Sequence, residues 1–521
     1  MFGRPKTAPA DAARAAGTRL YRFDGGLRLR HHKKMSCEVP VQRAALPQRL
    51  YVPLLQHTGR EAEASVVTGQ QVLKGDPIGC FRHLGSGCVH APTSGTVSAV
   101  VRHPISHPSG RDGLCIVIRP DGLDQWRQRR PIENWAEAAP ETLLERIRDS
   151  GIVGLGGAVF PTAFKVKDAS LRGIHTLILN GSECEPYISC DEMLMREQPD
   201  AIVLGARILQ RAVGAQRTVI AIEDQMGAVN QALGDAVRRA GAEGIDIVKV
   251  TTLYPEGGEK QLIQVLTGLE VPAGGRPVDL GLLCQNVATA SAVARAVTED
   301  KPLVERIVTV TGNGVRRPRN LLAAIGTPIA DLVELAGGYA PDAARLVLGG
   351  PMMGFPLASD ANPVTKAANC VLVLTEQDIR PPQPEMPCIR CGECARVCPA
   401  RLLPQQLNRF IRSGNWDASE DHGLADCIEC GCCDFACPSH IPLVEWFRFG
   451  KSQLRSRAED KRRADLARDR FEARETRLER IKEERKRRIA EKKRALGDQR
   501  TMKDRIAASV ERARQRKEGA E

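Results

Sequence analysis

The sequence predicts a multidomain protein of mixed α/β and α+β class that ends in a long charged helix. Three observations favour this fold class. The chain has 521 residues, a length that suggests three or four domains. Residues 140–300 alternate between strand-like and helix-like segments. Residues 451–521 are rich in Arg, Lys, Glu and Ala, a composition that favours a solvated helix with charge pairs.

The net charge of +12 belongs almost entirely to this tail. Residues 451–521 hold 26 Lys/Arg and 15 Asp/Glu, a net charge of +11, so the preceding 450 residues are nearly neutral. A basic helical arm alone would suit a nucleic-acid-binding protein. The tail, however, is nearly as rich in acids and has one aromatic residue, Phe471. We therefore expect no nucleic-acid partner.

Hydropathy excludes two further classes of protein. The sequence has no uninterrupted apolar run of about 18 residues, which a membrane-spanning helix would need. The N-terminal residues also lack the apolar stretch of a signal peptide. We therefore expect neither a membrane span nor secretion.

The α/β part begins with two buried-type strands at residues 176–180 and 218–223, separated by helical apolar periodicity at residues 201–213. A second α+β unit follows. In it, residues 304–310 and 345–348 are expected to be strands, and residues 321–336 a helix.

Two cysteine runs near residue 400 share one spacing. They cover residues 388–399 and 427–438, and each reads C-x2-C-x2-C-x3-C-P. This is the ligand spacing of two-cluster bacterial ferredoxins, in which the fourth cysteine of each run ligates the other cluster. We therefore expect two [4Fe–4S] clusters with crossed ligation. The first cluster is assigned to Cys388, Cys391, Cys394 and Cys437, and the second to Cys427, Cys430, Cys433 and Cys398.

Zinc is the alternative occupant of these runs, because tetrahedral zinc sites also use C-x2-C pairs. Zinc explains neither the third cysteine nor the C-P ending, and both occur twice. Cys432 departs from the spacing and is not expected to be a ligand. The nine cysteines outside the ligand set are expected to be small buried residues, and we assign no catalytic residue. Helical apolar spacing at residues 402–426 predicts an α-helical ferredoxin type.

Residues 36–125 consist of short strand-like segments and turns. Two segments, residues 69–79 and 89–97, place turn residues beside apolar pairs. They resemble a barrel-sandwich module of the biotinyl/lipoyl type. No lysine stands at the matching hairpin tip, so a structural module without a prosthetic arm is expected.

Residues 151–165 (GIVGLGGAVFPTAFK) form a glycine-rich segment. Glycines let backbone N–H groups approach a phosphate, and Lys165 adds a positive charge. The segment is neither a G-x-G-x-x-G fingerprint nor a Walker A loop. Three more segments follow it in order, residues 180–187 (NGSECEPY), 254–262 (YPEGGEKQL) and 285–289 (QNVAT).

These four segments, in this order, resemble the flavin- and NADH-binding subunit of respiratory complex I and its relatives. With the barrel-sandwich start and the cysteine runs, residues 30–450 resemble the family of C subunits of Rnf/Rsx-type ion-translocating electron transport complexes. Residues 304–354 are similar to the SLBB-type β-grasp module of this superfamily. The resemblance implies an FMN held by the glycine-rich and acidic loops, with NADH stacked over it.

Carried over by motif, the residues expected to contact FMN or NADH are Gly154, Gly156, Gly157, Lys165, Asn180, Glu183, Glu185, Tyr254, Gly257, Gly258, Glu259, Asn286 and Thr289. Two positions depart from the family pattern. Ser182 stands where complex I has an aspartate, and Val159 where a glycine is usual. Carboxylates such as Glu183 and Glu185 can alternatively be solvated or cap a helix.

The expected organisation has six parts. They are an N-terminal extension with a loosely ordered start (1–35), a barrel-sandwich module (36–125), an FMN/NADH-binding α/β domain (126–300), an SLBB-type β-grasp module (301–375), an α-helical two-[4Fe–4S] ferredoxin domain (376–450) and a basic charged helical tail (451–521).

The resemblance implies a peripheral electron-transfer subunit of a membrane-bound, ion-translocating NADH:ferredoxin oxidoreductase complex. The implied partners are NADH, the other subunits of the complex, and ferredoxin or flavodoxin reached through it. The chain is expected on the cytoplasmic side of the bacterial inner membrane, where the tail can meet anionic lipid. The rival interpretation is a soluble flavin/iron–sulfur reductase of the cobalamin reductase type, without a pump.

Overall fold

The structure, a computed structural model, describes residues 19–80, 88–381 and 383–518. The chain forms two compact units, Met1–Arg448 and Phe449–Glu521. The start of the expected N-terminal extension, residues 1–18, lies outside the described residues, as does Pro382.

The first module of the larger unit is built from short antiparallel strands around fully buried side chains such as Leu50, Val52, Ile116 and Ile118. The elements are α1 (Lys34–Cys37), β1 (Gln42–Arg43), β2 (Leu50–Pro53), β3 (Glu63–Ala64), β4 (Gln71–Val72), β5 (Pro77–Cys80), β6 (Val89–His90), β7 (Gly95–Pro104) and β8 (Asp112–Pro120). Its strands are arranged in two sheets, in the orders β2-β8-β7-β4 and β3-β5-β6.

Two cysteines of this module are not the separate buried residues that the sequence suggested. Cys80 and Cys88 form a disulfide. They lie at the end of β5 and next to the start of β6, and these two strands pair antiparallel. The pairing brings their Cα atoms to 4.5 Å.

The second module is a four-stranded parallel sheet in the order β11 (Ile245–Val250), β10 (Arg217–Glu223), β9 (Thr176–Gly181) and β12 (Leu282–Asn286). Helices cover both of its faces. Residues alternate between the faces, so Leu177 and Leu179 belong to one core and Ile178 to the other. The elements are α2 (Pro140–Asp149), α3 (Thr162–Ser170), β9 (Thr176–Gly181), α4 (Cys190–Glu197), α5 (Pro199–Val213), β10 (Arg217–Glu223), α6 (Gly227–Arg239), β11 (Ile245–Val250), α7 (Glu259–Thr267), β12 (Leu282–Asn286) and α8 (Val287–Glu299).

The third module is built on a six-stranded mixed sheet. Its elements are β13 (Glu305–Thr311), β14 (Arg319–Ala324), α9 (Ile329–Leu335), β15 (Ala343–Leu348), β16 (Phe355–Pro356) and β17 (Cys370–Thr375). The strand order is β1-β14-β13-β17-β15-β16, because β1, although early in the chain, pairs parallel with β14 and so belongs to this sheet.

The helix expected at residues 321–336 is wrong in its first part. Residues up to Ala324 form β14, and helix α9 begins only at Ile329. Pairing with β13, which sets Leu321 opposite Val308, overrides the local helical periodicity. Gly326, with φ of +96°, then turns the chain between β14 and the start of α9.

The fourth module is helical, as the apolar spacing of residues 402–426 predicted. Its helices pack around Leu407, Ile411 and Leu424, which are almost fully buried. The elements are α10 (Glu393–Arg396), α11 (Pro404–Arg412), α12 (Trp416–Asp421), α13 (Cys432–Ala436) and the long helix α14 (Leu443–Glu518).

The smaller unit is a single helical segment, the continuation of α14 from Phe449. Every side chain from Leu466 to Lys517 is exposed, as the charged composition predicted. No helix in the described part of the chain has the length and apolarity needed to cross a membrane.

A buried lysine joins three of the modules. Lys366 is 3% exposed, and its Nζ donates to the carbonyl of Gly151 at 2.6 Å. Its backbone N–H donates to Gln56 Oε1 at 3.2 Å, and its carbonyl accepts from Arg306. Burial lowers the pKa of the Lys366 ammonium group to about 7.

We expect Lys366→Met to change how stability depends on pH. Between pH 7 and the ordinary lysine pKa, the unfolded chain binds a proton that the native chain lacks, so this group makes wild-type stability rise with pH. The variant lacks that rise, and its stability relative to wild type should fall by up to about 1.4 kcal/mol per pH unit above pH 7. Denaturant unfolding at several pH values measures the difference. The exposed Lys249→Met is the control, and parallel pH curves for wild type and Lys366→Met would contradict the expectation.

Candidate functional site

The order of strands in the parallel sheet defines a crevice. The chain runs from β9 to β10 on one side and returns with β12 on the other side of β9. Ligands of open α/β sheets bind at such a switch point, outside the carboxyl ends of the strands. Asn286 ends β12, and Asn180, one residue before the end of β9, lies opposite it in the register. Both are among the residues predicted to bind FMN.

The glycine-rich loop lies over this crevice. The backbone N–H of Leu155 donates to Thr289 Oγ1 at 2.9 Å. A Cβ added to Gly156 would lie 3.3 Å from Asn286 Cβ, so the loop approaches β12 more closely than most side chains permit. Asn286 caps the 13-residue helix α8 by accepting from the backbone N–H of Ala288 at 2.8 Å. The loop therefore lies beside a helix N-terminus, where phosphate groups are favoured.

The predicted loops at residues 180–187 and 254–262 contact each other on the other side of the crevice. Asn180 Nδ2 donates to the carbonyl of Gly257 at 2.8 Å. A Cβ on Gly257 would come within 2.5 Å of the Ser182 carbonyl, so only glycine fits there. Lys165 is ion-paired with Glu259 and also donates to the Cys284 carbonyl at 2.7 Å. The motifs at residues 151–165, 180–187, 254–262 and 285–289 thus meet around one crevice.

Glu183 is buried within this arrangement. Its Oε1 accepts from the backbone N–H of Asp191 at 3.0 Å, and Asp191 Oδ2 accepts from Asn286 Nδ2 at 2.5 Å. Burial raises the pKa of Glu183 to about 7, and Lys33 opposes this rise. Glu183 is therefore not solvated. Its carboxylate accepts from the backbone N–H groups of Asp191 and Glu192 in the first turn of α4, so the helix-capping alternative holds for this residue.

Two residues of the site were not foreseen from the sequence. Lys33 is 5% exposed and donates to the carbonyl of Glu183. It lies in a segment that was expected to be an extension with a loosely ordered start. Asp191 carries no recognisable motif signal, and only the fold brings it to Asn286. A lone lysine next to a predicted loose segment gives no local sign of burial.

Two predicted contact residues face neighbouring modules. Glu185 Oε1 accepts from the backbone N–H groups of Met352 and Met353 at 2.7 and 3.1 Å, in the third module. Tyr254 donates its hydroxyl to the Cys430 carbonyl at 2.7 Å, in the fourth. Direct contact of either residue with FMN or NADH stays a prediction.

The crevice suits a phosphorylated flavin. Ser182 Oγ and Gln285 Nε2 are buried and have no hydrogen-bond partner among the described residues, whereas Glu223 Oε1 forms an ion pair with Lys33 Nζ at 3.9 Å. Buried polar atoms without partners are rare in folded proteins, and the polar edges of an isoalloxazine ring and ribityl chain can satisfy both donors and acceptors. The N-terminus of α8 favours a phosphate at this point, whereas the charge of Lys165 is already paired with Glu259.

The cysteines form two separate groups that each draw on both runs. Cys388, Cys391 and Cys394 line one cavity together with Cys437, which belongs to the second run. Burial raises the pKa of Cys433, and its cysteine neighbours Cys427, Cys430 and Cys398 raise it further. Cys398 thus lies with the second run. This is the grouping that crossed ligation requires.

The two runs repeat one backbone conformation. Arg390 and Glu429, at equivalent positions, have φ of +60° and +57°. Gly392 and Gly431 follow with φ of +80° and +79°. Left-handed residues at these points turn the chain sharply, so successive thiols face the same side. Side chains other than glycine are rare in this conformation, and a tight cluster-binding loop gives a reason for it.

Buried contacts join the second cysteine run to the crevice. Tyr254, Cys184, Cys430 and Cys432 form one apolar cluster with partly buried neighbours such as Leu27. Leu27 and Tyr254 exchange two backbone hydrogen bonds, of 2.7 and 3.0 Å. Residues 19–35, the described part of the expected N-terminal extension, therefore fill the gap between the two modules. The predicted loosely ordered start lies outside the described residues.

Comparison with known protein families assigns each module. Residues 21–123 match the RnfC barrel sandwich hybrid domain, and residues 147–295 the Nuo51 FMN-binding domain. Residues 307–356 match the SLBB domain, and residues 387–442 a 4Fe-4S dicluster domain. The fold and site thus define a protein that combines an FMN-binding domain with a 4Fe-4S dicluster domain.

Similar proteins narrow this class. A Pseudomonas aeruginosa (strain PAO1) protein, named as the C subunit of an ion-translocating oxidoreductase complex, is 47% identical over 466 residues, which are 89% of this chain and 60% of that protein. A Yersinia pestis bv. Antiqua (strain Antiqua) protein of the same name is 44% identical over 96% of this chain and 80% of its own length. The chain therefore belongs to the RnfC family, the C subunits of ion-translocating oxidoreductase complexes, although it spans less than two thirds of the first relative.

The fold is also similar to a chain of a solved structure, the H2-reduced NAD+-reducing [NiFe]-hydrogenase. The TM-score is 0.44 at 22% identity, covering 58% of this chain and 61% of that chain.

Proposed function

We propose that the chain is the peripheral electron-transfer subunit of an ion-translocating NADH:ferredoxin oxidoreductase complex. It would pass electrons between NAD(H), FMN and two [4Fe–4S] clusters. Bound FMN exchanges two electrons with NAD(H) as hydride, whereas each cluster carries one electron, so the flavin converts between the two modes.

The observation that carries this proposal is the buried hydrogen bond from Tyr254 to the Cys430 carbonyl, 2.7 Å long. Tyr254 begins a loop that borders the flavin crevice, and Cys430 belongs to the second cysteine group. A flavin and a cluster exchange electrons efficiently only if the protein holds them close, and this direct, buried contact between the two modules supports such closeness. Lys260 Nζ, 3.4 Å from Asp426 Oδ1, adds a second link between the same two modules.

The position of the two cysteine groups suggests their order. Cys430 and Cys433 are 7% exposed and belong to the group that meets the flavin module, whereas Cys388 and Cys391 are exposed. We infer that the second group forms the inner site and that the first forms the outer site, which faces the redox partner. Either direction of electron flow is compatible with this order.

The proposed partners follow from the family. They are the other subunits of the complex, NADH, and ferredoxin or flavodoxin reached through the complex. The proposed location is peripheral, on the cytoplasmic side of the bacterial inner membrane, and the net charge of +11 on residues 451–521 suits an anionic lipid surface or an acidic partner protein.

Anaerobic titration with NADH, followed by EPR spectroscopy, tests the electron-transfer proposal. We expect NADH to reduce the clusters of the isolated, FMN-loaded protein. Clusters that dithionite reduces and NADH does not would overturn it. Co-purification with integral membrane subunits separates the complex from a soluble reductase, and recovery only in the soluble fraction would favour the latter.

A further inference from the structure

Lys33 enters the flavin crevice from outside the flavin module. Its side chain is almost completely buried, with Nζ 3.7 Å from Glu183 Oε2 and 3.9 Å from Glu223 Oε1. It also donates to the backbone carbonyl of Glu183. One ammonium group therefore contacts the main chain and the carboxylate of the acidic loop, as well as the end of strand β10.

These contacts continue to the opposite side of the crevice. Glu183 Oε1 accepts from the backbone N–H of Asp191 at 3.0 Å, and the Asp191 carboxylate accepts from Asn286 Nδ2 at 2.5 Å. Asn286 lies against Gly156 of the glycine-rich loop. Lys33 is thus the first member of a chain of contacts that spans the crevice from strand β10 to strand β12.

We propose that Lys33 is a positioning residue that holds Glu183 in the geometry needed for FMN and nicotinamide binding. The inference rests on the proposed function and deepens it, because it makes the N-terminal segment a part of the redox site. A buried carboxylate needs a buried cation to remain ionised, and Lys33 is the cation that contacts Glu183 directly.

The electrostatics agree with this role. Burial opposes the charge of Lys33, but Glu183 and Glu223 outweigh it and hold the Lys33 pKa above its ordinary value. Burial conversely raises the Glu183 pKa, and Lys33 is the largest influence that lowers it. The ionisable groups that face Glu183 from the elements packed against it are Lys33, Cys37, Cys190, Asp191, Glu192, Arg306 and Cys370. Glu223 faces Lys33.

Lys33→Met in the full-length, anaerobically purified protein tests the proposal. With ferricyanide as the electron acceptor, we expect NADH-dependent turnover to fall by about tenfold or more, the usual cost of disturbing a positioning contact at an active site. The acidic limb of the pH profile should move to higher pH, because Glu183 loses the cation that favours its carboxylate. Lys34→Met is the matched control, since Lys34 is adjacent and exposed, and it should behave like wild type.

A double variant separates positioning from a general loss of structure. If Lys33 acts through Glu183, Lys33→Met combined with Glu183→Gln should be no slower than Glu183→Gln alone. Lys33→Arg, which keeps the charge, should recover part of the rate. The proposal is overturned if Lys33→Met keeps the wild-type rate and pH profile, or if the two losses multiply.

A binding measurement distinguishes failure of this inference from failure of the proposed function. A wild-type protein that holds FMN and clusters but does not oxidise NADH would contradict the proposed function. In that case, fluorescence titration of the deflavinated protein with FMN still tests the role of Lys33. Lys33→Met should bind FMN about tenfold more weakly than Lys34→Met. Equal FMN affinity of the two variants would overturn the role of Lys33.

Discussion

Replacing Cys398 with serine should remove the inner cluster and leave the outer one. Iron content should fall from about eight to about four atoms per chain. Cys398 lies in the first run of the sequence, but its cysteine neighbour in space is Cys430. The outer group keeps all four of its thiols, because Cys437 takes the place beside Cys388, Cys391 and Cys394.

The loss should also break the proposed electron path. In Cys398→Ser the remaining cluster should be reducible by dithionite but not by NADH, since the site next to Tyr254 is empty. In Cys437→Ser the remaining cluster should still be reduced by NADH. Iron and sulfide analysis with EPR measures both effects, and Cys432→Ala, which alters an off-pattern buried cysteine, is the control that should keep both clusters. Identical behaviour of Cys398→Ser and Cys437→Ser would contradict the inner and outer assignment.

Gly156→Val should abolish FMN binding while leaving both clusters in place. A Cβ at this position already lies 3.3 Å from Asn286 Cβ and 3.4 Å from Asn286 Nδ2. The two further methyl groups of valine must push the glycine-rich loop away from α8 or fill the crevice. We expect the purified protein to retain less than about a tenth of the wild-type FMN, because overpacking at so close a contact forces the backbone to move.

Flavin fluorescence after acid release, measured against iron content, gives the FMN occupancy per folded chain. Gly227→Val is the matched control, because a Cβ at Gly227 meets nothing within 4 Å and the residue lies at the start of α6. Normal FMN content in Gly156→Val would show that the flavin does not use this crevice. Loss of iron together with FMN would instead indicate a general folding defect.

The sequence predicted the parts of this protein that depend on local spacing. The ligand spacing of the cysteine runs is local, and the structure repeats one loop conformation at both runs. The strands at residues 176–180 and 218–223 lie within β9 and β10, because continuous apolar runs in an α/β context have few alternatives. The prediction of a helix at residues 321–336 was wrong in its first part, because pairing between β13 and β14 decides the conformation of residues 319–324.

The site residues also divide into those that local motifs predict and those that only tertiary packing brings together. The glycine-rich and acidic loops have motif signals, and the structure brings them to the carboxyl edge of the sheet. The hydrogen bond from Lys33 to Glu183 joins residues 150 positions apart. The bonds of Glu185 to Met352 and Met353 join residues 167 and 168 positions apart. Contacts over such separations depend on how whole modules pack, and no local periodicity encodes them.

By itself, the sequence determined the modules, the thiol spacing and the loops that border the crevice of the parallel sheet, because these depend on residue types at short, regular intervals. Only the tertiary structure decided that residues 19–35 close the gap between two modules, that Lys33 is buried beside Glu183, and that the second cysteine group lies next to Tyr254. The physical reason is burial, since desolvation and ion pairing act between groups that are close in space, wherever they lie along the chain.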